Sequence, residues 1–210
     1  MRLLRLLPLV LACLLGLCLP TACINDDITT SPSATLTFSR DTLSFDTVFT
    51  ELGTPTARLL VYNRNSKGVS ISSIRMRNAD SNFSLNVDGM SGTEFHDVEI
   101  RGKDSIYIFV ECYIDKNAGP EPRLVEDQLE FVTNGVAQTV QLEAWGQNVT
   151  RLNALTVERD MRLTAEQPYV VFDSLVVASG ATLTIDPGAR VLFHDKASLI
   201  VDGRLEAVGK

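Results

Sequence analysis

Between residues 34 and 149, apolar side chains alternate with polar ones at a period of two, and turn residues interrupt them every eight to twelve positions. The runs are Leu36-Thr37-Phe38, Leu43-Ser44-Phe45, Ala57 to Tyr62, Val69 to Ile74, Phe83 to Val87, Ile106 to Tyr113, Leu129 to Val132 and Val136 to Leu142. A period of two sends successive side chains to opposite faces of an extended chain, which is the signature of a half-buried strand. Val, Ile, Phe and Thr are frequent in these runs, and no 3.6-residue pattern competes for a helix. Turns are predicted at Gly53, Gly68, Gly89-Met90-Ser91-Gly92, Asn117-Ala118-Gly119-Pro120 and Asn134-Gly135. The last lies between two apolar runs, and both of its residues tolerate positive φ, so it reads as a hairpin. The eight runs predict an antiparallel β-sandwich.

Residues 150–210 show a different order. Apolar pairs at i and i+2 recur as Leu175/Val177, Leu183/Ile185, Val191/Phe193, Leu199/Val201 and Leu205/Ala207, evenly stepped until the last interval, which is shorter. Three such even steps bring Ser174-Leu175-Val176-Val177 back as Ser198-Leu199-Ile200-Val201. Inward residues that repeat in this way stack coil on coil in a parallel β-helix. Ser179-Gly180, Asp186-Pro187-Gly188 and Asp202-Gly203 fit its turns. The expectation is a linker from residue 150 followed by opening coils from 168, the rival being an antiparallel hairpin array. Fewer than two coils are expected here, whereas solenoids generally need three or more repeats and a cap. The strands are therefore expected to continue in a longer product, or else to pack on the sandwich or on another subunit.

Residues 1–22 change the picture of where this body resides. Arg2 and Arg5 precede an apolar stretch from Leu6 to Leu19, interrupted by Pro8. A spanning helix needs roughly 20 apolar residues, so this stretch is short for one and has the flanks of a cleaved export signal. The alternative is a retained anchor. Removing residues 1–22 takes away two arginines and no acid, so the formal charge of −7 becomes −9 for the remainder. That balance argues against nucleic acid and against docking on anionic head groups, both of which need clustered Lys and Arg. Cys13, Cys18 and Cys23 all belong to the leader or its end, leaving Cys112 as the one thiol of the body. No internal disulfide can form, and Cys112, within an apolar run, reads as a buried inert thiol.

Leu19-Pro20-Thr21-Ala22-Cys23 resembles the lipobox of bacterial lipoproteins, with a small residue before the cysteine that takes the lipid; Pro20 departs from the usual aliphatic. Ile24-Asn25-Asp26-Asp27 is similar to the acidic export signal of Bacteroidales-type surface lipoproteins. The resemblance implies acylation at Cys23 and display on the outer face of the outer membrane through Asp26 and Asp27, a periplasm-facing position being the alternative. Residues 23–33 then read as a polar tether, which fully extended spans roughly 33 Å over about ten residues. Phe45, Thr47-Val48-Phe49, Leu60 to Asn63, Ile71 to Ile74, Phe83-Ser84-Leu85, Asp104 to Val110 and Leu142-Glu143-Ala144-Trp145-Gly146 look like the immunoglobulin-like modules of the ASPM/SPD-2/Hydin type. That resemblance implies a spacer or interaction module over residues 34–149. Residues 168–210 look like the first coils of right-handed β-helices in surface lipoproteins and in the pectate-lyase-like superfamily. The expected fold is thus all-β, an immunoglobulin-like antiparallel sandwich followed by opening coils of a parallel β-helix.

Catalytic patterns are missing. His96 and His194 stand alone, without a histidine or carboxylate at metal spacing, and no G-x-S-x-G, phosphate-cradling or dinucleotide motif occurs. Asp186, Asp195 and Asp202 recur in turns, where Asp is a standard former; calcium on a β-helix face is the sharper alternative. Trp145 reads as inter-domain packing, or else as a stacking surface for sugar. Asp41-Thr42-Leu43, Asp46-Thr47-Val48, Asp104-Ser105-Ile106 and Asp173-Ser174-Leu175 match the acceptor of Bacteroidales-type O-glycosylation, which implies Thr42, Thr47, Ser105 and Ser174 as sites. Strand-entry chemistry accounts for the same pairs.

The combined expectation is a non-catalytic surface module that binds glycan or protein, with no metal, cofactor or catalytic residue, held to the membrane by lipid. An enzyme that cleaves polysaccharide on coils beyond residue 210, and a purely structural envelope component, are the alternatives. Intact mass of the protein extracted from membranes checks the address. It should show acyl chains on Cys23 with residues 1–22 gone, further polypeptide beyond residue 210, and discrete sugar increments where the acceptors are used.

Overall fold

A computed structural model describes residues 27–54 and 56–209. The leader, Cys23 and Asp26 lie outside the described residues. The described chain is all-β. Eleven strands build its first part: β1 (Thr37–Phe38), β2 (Thr42–Phe49), β3 (Ala57–Tyr62), β4 (Val69–Met76), β5 (Phe83–Val87), β6 (Met90–Gly92), β7 (Glu94–Phe95), β8 (Val98–Ile100), β9 (Ser105–Cys112), β10 (Arg123–Thr133) and β11 (Val136–Gln147). Seven more build the second: β12 (Thr150–Val157), β13 (Met161–Leu163), β14 (Tyr169–Val177), β15 (Thr182–Ile185), β16 (Val191–Phe193), β17 (Ser198–Val201) and β18 (Arg204–Ala207).

The first part is a two-sheet sandwich. One sheet runs β1-β3-β9-β5-β6, the other β2-β11-β10-β4-β7 with β8 also on β4. Alternation explains the layering, because Leu59 and Val61 of β3, Ile108 and Val110 of β9, and Leu129 and Phe131 of β10 all point inward and are fully buried. Burying a side chain such as Phe131 contributes about 1.5–3 kcal/mol relative to exposure. The pairing is antiparallel except between β2 and β11, which run parallel from Gln141↔Thr42 to Gln147↔Phe49. Asn134 and Gly135 take positive φ and close the β10–β11 hairpin.

Three expectations change. Met90-Ser91-Gly92 is not loop but β6, and the reversal falls earlier, on Asp88 and Gly89, both at positive φ. Two strands also lose their alternation at bulges. In β2 the break is at Asp46, which has φ 56°, and in β4 the register shifts between Ile71 and Ser73 opposite Thr133 and Val132. Third, the polar segment is no free tether from Asp27 onward. Gly68 donates its N–H to the Asp27 carbonyl at 2.9 Å, and Thr29 donates to the Gly68 carbonyl at 2.8 Å. Lys67 lies 3.7 Å from the Asp27 carboxylate. Asn134 then caps the Ser31 and Ala34 carbonyls through its side-chain amide. Backbone groups, not side-chain burial, hold this segment, so the hydrophobic pattern carries no trace of it.

The second part pairs in parallel. Met161 lies beside Leu183, and Leu183 beside Leu205 at an equal step along the chain. Ser174 pairs with Ser198 across a slightly longer one. Residues 150–168 are therefore not a linker: β12 and β13 form a first layer under β14 and β15, with β16, β17 and β18 as a third. Leu152, Val157, Leu163, Val171, Leu175, Val177 and Leu183 form a second core separate from that of the sandwich. Ala154, Asp173 and Asp195 all take positive φ at equivalent corners, with Ala154 at 45°, Asp173 at 65° and Asp195 at 50°. Val201 and Leu205, stacked on buried Val177 and Leu183, are themselves exposed.

Gly203 sets the tightest of these turns. A Cβ there would lie 2.3 Å from the Ala178 carbonyl oxygen and 2.4 Å from that of Ala181. Gly203→Ala is expected to destabilise by about 1–3 kcal/mol through overpacking. Gly53→Ala, which meets nothing within 4 Å, should stay within about 1 kcal/mol of the parent. Paired denaturant titrations measure both.

Candidate functional site

Strand β9 divides its chemistry between its two faces. Ile108, Val110 and Cys112 enter the core, while Tyr107 (47% exposed), Phe109 (38%) and, just past the strand, Tyr113 (53%) face solvent. Aromatic area left out of the core at this density is the informative departure from ordinary burial. The Tyr107 and Phe109 rings lie 6.4 Å apart with planes 16° off parallel.

Neighbouring strands surround this stripe with polar groups. Across the sheet, Phe109 has Arg58 of β3 on one side and Asn86 of β5 on the other. Asn86 in turn pairs with Ser91 of β6 and donates its amide to the Ser91 hydroxyl at 3.1 Å. One step along, Glu111 lies beside Ser84 and accepts a hydrogen bond from the Thr56 hydroxyl at 2.9 Å. Thr56, Ser84, Asn86, Ser91 and Glu111 line a groove of about 700 Å³ with Phe109 among its walls. Farther along the same face, outside that lining, the Arg58 guanidinium rests 5.3 Å from the Tyr107 ring centre, and that of Arg64 4.1 Å from Tyr62. The sheet face thus sets exposed aromatic rings beside a few hydrogen-bond donors and acceptors.

A second cleft of about 600 Å³ lies between the two parts of the chain, lined by Phe45, Thr47 and Phe49 of β2 and by Leu192, Phe193 and His194. His194 packs its ring 4.8 Å from Phe172. His96 sits at the surface, its Nδ1 3.1 Å from the Ser72 carbonyl and its Nε2 3.6 Å from Glu94. Among the described residues no three His, Cys, Asp or Glu side chains converge as a metal site would require. Asp186 is no free turn residue: Arg162 donates Nε to both of its carboxylate oxygens at 2.8 and 2.9 Å. That hydrogen bond, and then the charge of Asp186, raise the Arg162 pKa. Asp195 and Asp202 remain exposed at turns. Trp145 is 46% exposed beside Leu124 and belongs to neither core.

The four acceptor candidates lie apart. Thr42 and Thr47 on β2 are exposed, Thr47 resuming the pairing with Trp145 just past the Asp46 bulge, whereas Ser105 and Ser174 are half-buried. Neither the groove nor its residues was anticipated. The signal was present, since aliphatic and aromatic residues alternate strictly from Ile106 to Phe109 within the longer apolar run to Tyr113, but the run reads as uniformly apolar unless the two kinds are separated.

No family model matches this chain, and no curated protein matches it. Solved structures similar to it include a Porphyromonas gingivalis protein of unknown function, at 13% identity over 59% of each chain with a TM-score of 0.38. Another is the periplasmic chaperone SfaE, at 15% identity over 54% of this chain and 58% of that one, TM-score 0.36. A family 123 glycoside hydrolase from Clostridium perfringens matches at 10% identity over 57% of this chain and 30% of that one, TM-score 0.38. The match spans less than two thirds of each of those chains, and likenesses this distant carry no argument about activity.

Cys112 is buried and free, and loss of hydration pushes its thiol up to about 12. The reactive species is the thiolate. In a chain that begins at Ile24, where Cys112 is the one thiol, a thiol reagent at pH 8 should label nothing until denaturant is added. The linkage has a definite sign: the unfolded thiol ionises first, so the stability it contributes is lost as pH rises from about 9 towards about 12.

Proposed function

We propose that this chain is a lipid-anchored surface protein of the bacterial outer membrane whose sandwich holds a glycan in the β9 groove without transforming it. The observation that carries the reading is the exposed Tyr107–Phe109 stripe flanked by Asn86, Ser84, Ser91 and Glu111. A sugar ring has one apolar face of C–H bonds and a rim of hydroxyls. The aromatic floor covers the first, and the amide, hydroxyl and carboxylate groups serve the second as donors and acceptors. Among the described residues lining the groove, Glu111 is the one carboxylate. Glycoside hydrolysis ordinarily uses two, about 5–9.5 Å apart, so a binding role suits the groove better than a hydrolytic one.

The anchor rests on the resemblance of Leu19–Cys23 to a lipobox, and the surface position on Asp26 and Asp27. In the same reading the sandwich is an immunoglobulin-like module and the parallel stacks are opening coils of a β-helix. The in-register stacks Met161-Leu183-Leu205 and Ser174-Ser198 support the latter. Of the glycosylation candidates, exposure favours Thr42 and Thr47.

A screen of the mature chain against soluble polysaccharides and oligosaccharides tests the reading. It should yield at least one ligand, and Phe109→Ala should weaken that ligand's binding about tenfold, equivalent to roughly 1.4 kcal/mol. Its far-ultraviolet spectrum should stay unchanged. A screen with no ligand, or a hit indifferent to Phe109 and Tyr107, would sink the idea.

A further inference from the structure

Resting on the groove as a glycan site, we infer that its ligand is a sparsely charged acidic glycan whose carboxylate meets Arg58. Arg58 and Arg64 are both exposed. Each leans on a tyrosine rather than on an acid. Four other arginines reach carboxylates, Arg75 and Arg77 at Glu130, Arg162 at Asp186 and Arg204 at Glu206, while Arg123, Arg151 and Arg190 reach amide or backbone oxygens. In a chain with 26 acidic and 19 basic residues, a guanidinium on a sheet face with no acid paired to it among the described residues is an available positive charge.

Its position matters as much as its charge. Arg58 is the direct cross-strand neighbour of Phe109, and its guanidinium lies over Tyr107, on the side of Phe109 away from Glu111. Same-face positions along a strand are roughly 7 Å apart. A sugar resting on Phe109 therefore has a cation at one end and, at the other, a carboxylate that accepts hydroxyl protons and repels a second anion. The planar guanidinium matches a carboxylate with two parallel hydrogen bonds, and stacking on Tyr107 holds that fork in place. The formal charge of −9 left after removal of residues 1–22 opposes a densely charged polyanion, while a single carboxylate at contact distance is governed by its nearest neighbours because salt screens the remainder within about 8 Å.

Calorimetric titration of the mature chain with matched oligosaccharides tests this: a uronate-containing chain, its carboxyl-reduced neutral counterpart, and a heavily sulfated chain. The uronate form should bind at least tenfold tighter than the neutral one. Arg58→Gln should erase that difference, bringing the uronate form to the affinity of the neutral one, while the far-ultraviolet spectrum stays unchanged. Arg58→Lys should restore only part, since it keeps charge without the fork. Equal affinity for acidic and neutral chains would overturn the inference and leave the glycan reading standing. Preference for the sulfated chain would overturn it as well, and so would no binding to any of the three beside a ligand found in the wider screen, which leaves the glycan reading standing.

Discussion

The two parts of this molecule are joined through a buried knot of amides, and their arrangement depends on its being fully satisfied. Asn148 is 3% exposed. Its Oδ1 accepts from the Asn117 backbone at 2.8 Å and from the Thr50 hydroxyl at 3.1 Å, and its amide donates to the carbonyls of Asn117 and Gly119. Gln147 beside it donates to the Pro120 and Asn148 carbonyls, and Asn117 returns a bond to Gly146. A buried amide left without partners costs about 1–3 kcal/mol per group. With each demand met, the end of β11 is pinned to the 117–120 loop and to β2, and the chain leaves the sandwich in a set direction. Arg151 adds a bond back to the Glu51 carbonyl.

Within the sandwich, the inner face determines what the outer face displays. Register in a sheet cannot slip by one residue without turning every side chain over. Burial of Leu59, Val61, Ile108, Val110, Leu85 and Val87 therefore aligns Arg58, Phe109, Asn86 and Ser91 in one row on the opposite side. Asn63, wholly buried, secures the end of that sheet by donating to the carbonyls of Lys67, Ile100 and Arg101 while accepting from Asn65. The groove is thus a by-product of core packing, and of those core residues Leu85 also lines it. Asp127 is the exception to this economy. It occupies a core-facing position of β10, satisfies Asn78 and the Gln128 N–H through Oδ1, and leaves Oδ2 buried without a partner.

The strands were legible in the sequence wherever alternation is unbroken. Ala57–Tyr62 and Phe83–Val87 begin and end where the pattern does. Legibility failed at bulges formed by residues other than glycine. Asp46 and Ala154 adopt positive φ with no Gly or Asn to announce it, so the pattern makes β2 shorter than it is and β12 a linker. Short edge strands such as β7 and β8 escaped because two or three positions cannot establish a period. The parallel stacking of the second part was readable from the Ser174–Val177 repeat, whereas the other step, from Met161 to Leu183 to Leu205, was hidden by the unequal turns between the strands. The site was missed for another reason. Its residues come from β3, β5, β6 and β9, and adjacency across a sheet leaves no mark along a chain.

The docking of Asp27–Thr29 against Gly68 has a mechanical side. Under the proposed acylation of Cys23, only four peptide steps separate the lipid from the first docked residue, at most about 14 Å. The body would ride close to the bilayer on a short leash. Drag on a captured glycan would then load the Ile28–Gly68 bridge before any sheet of the sandwich. That bridge is a pair of backbone hydrogen bonds, and its residues belong to neither core. Under that anchoring it would act as a mechanical fuse, lengthening the leash under tension before the fold it is tied to is strained.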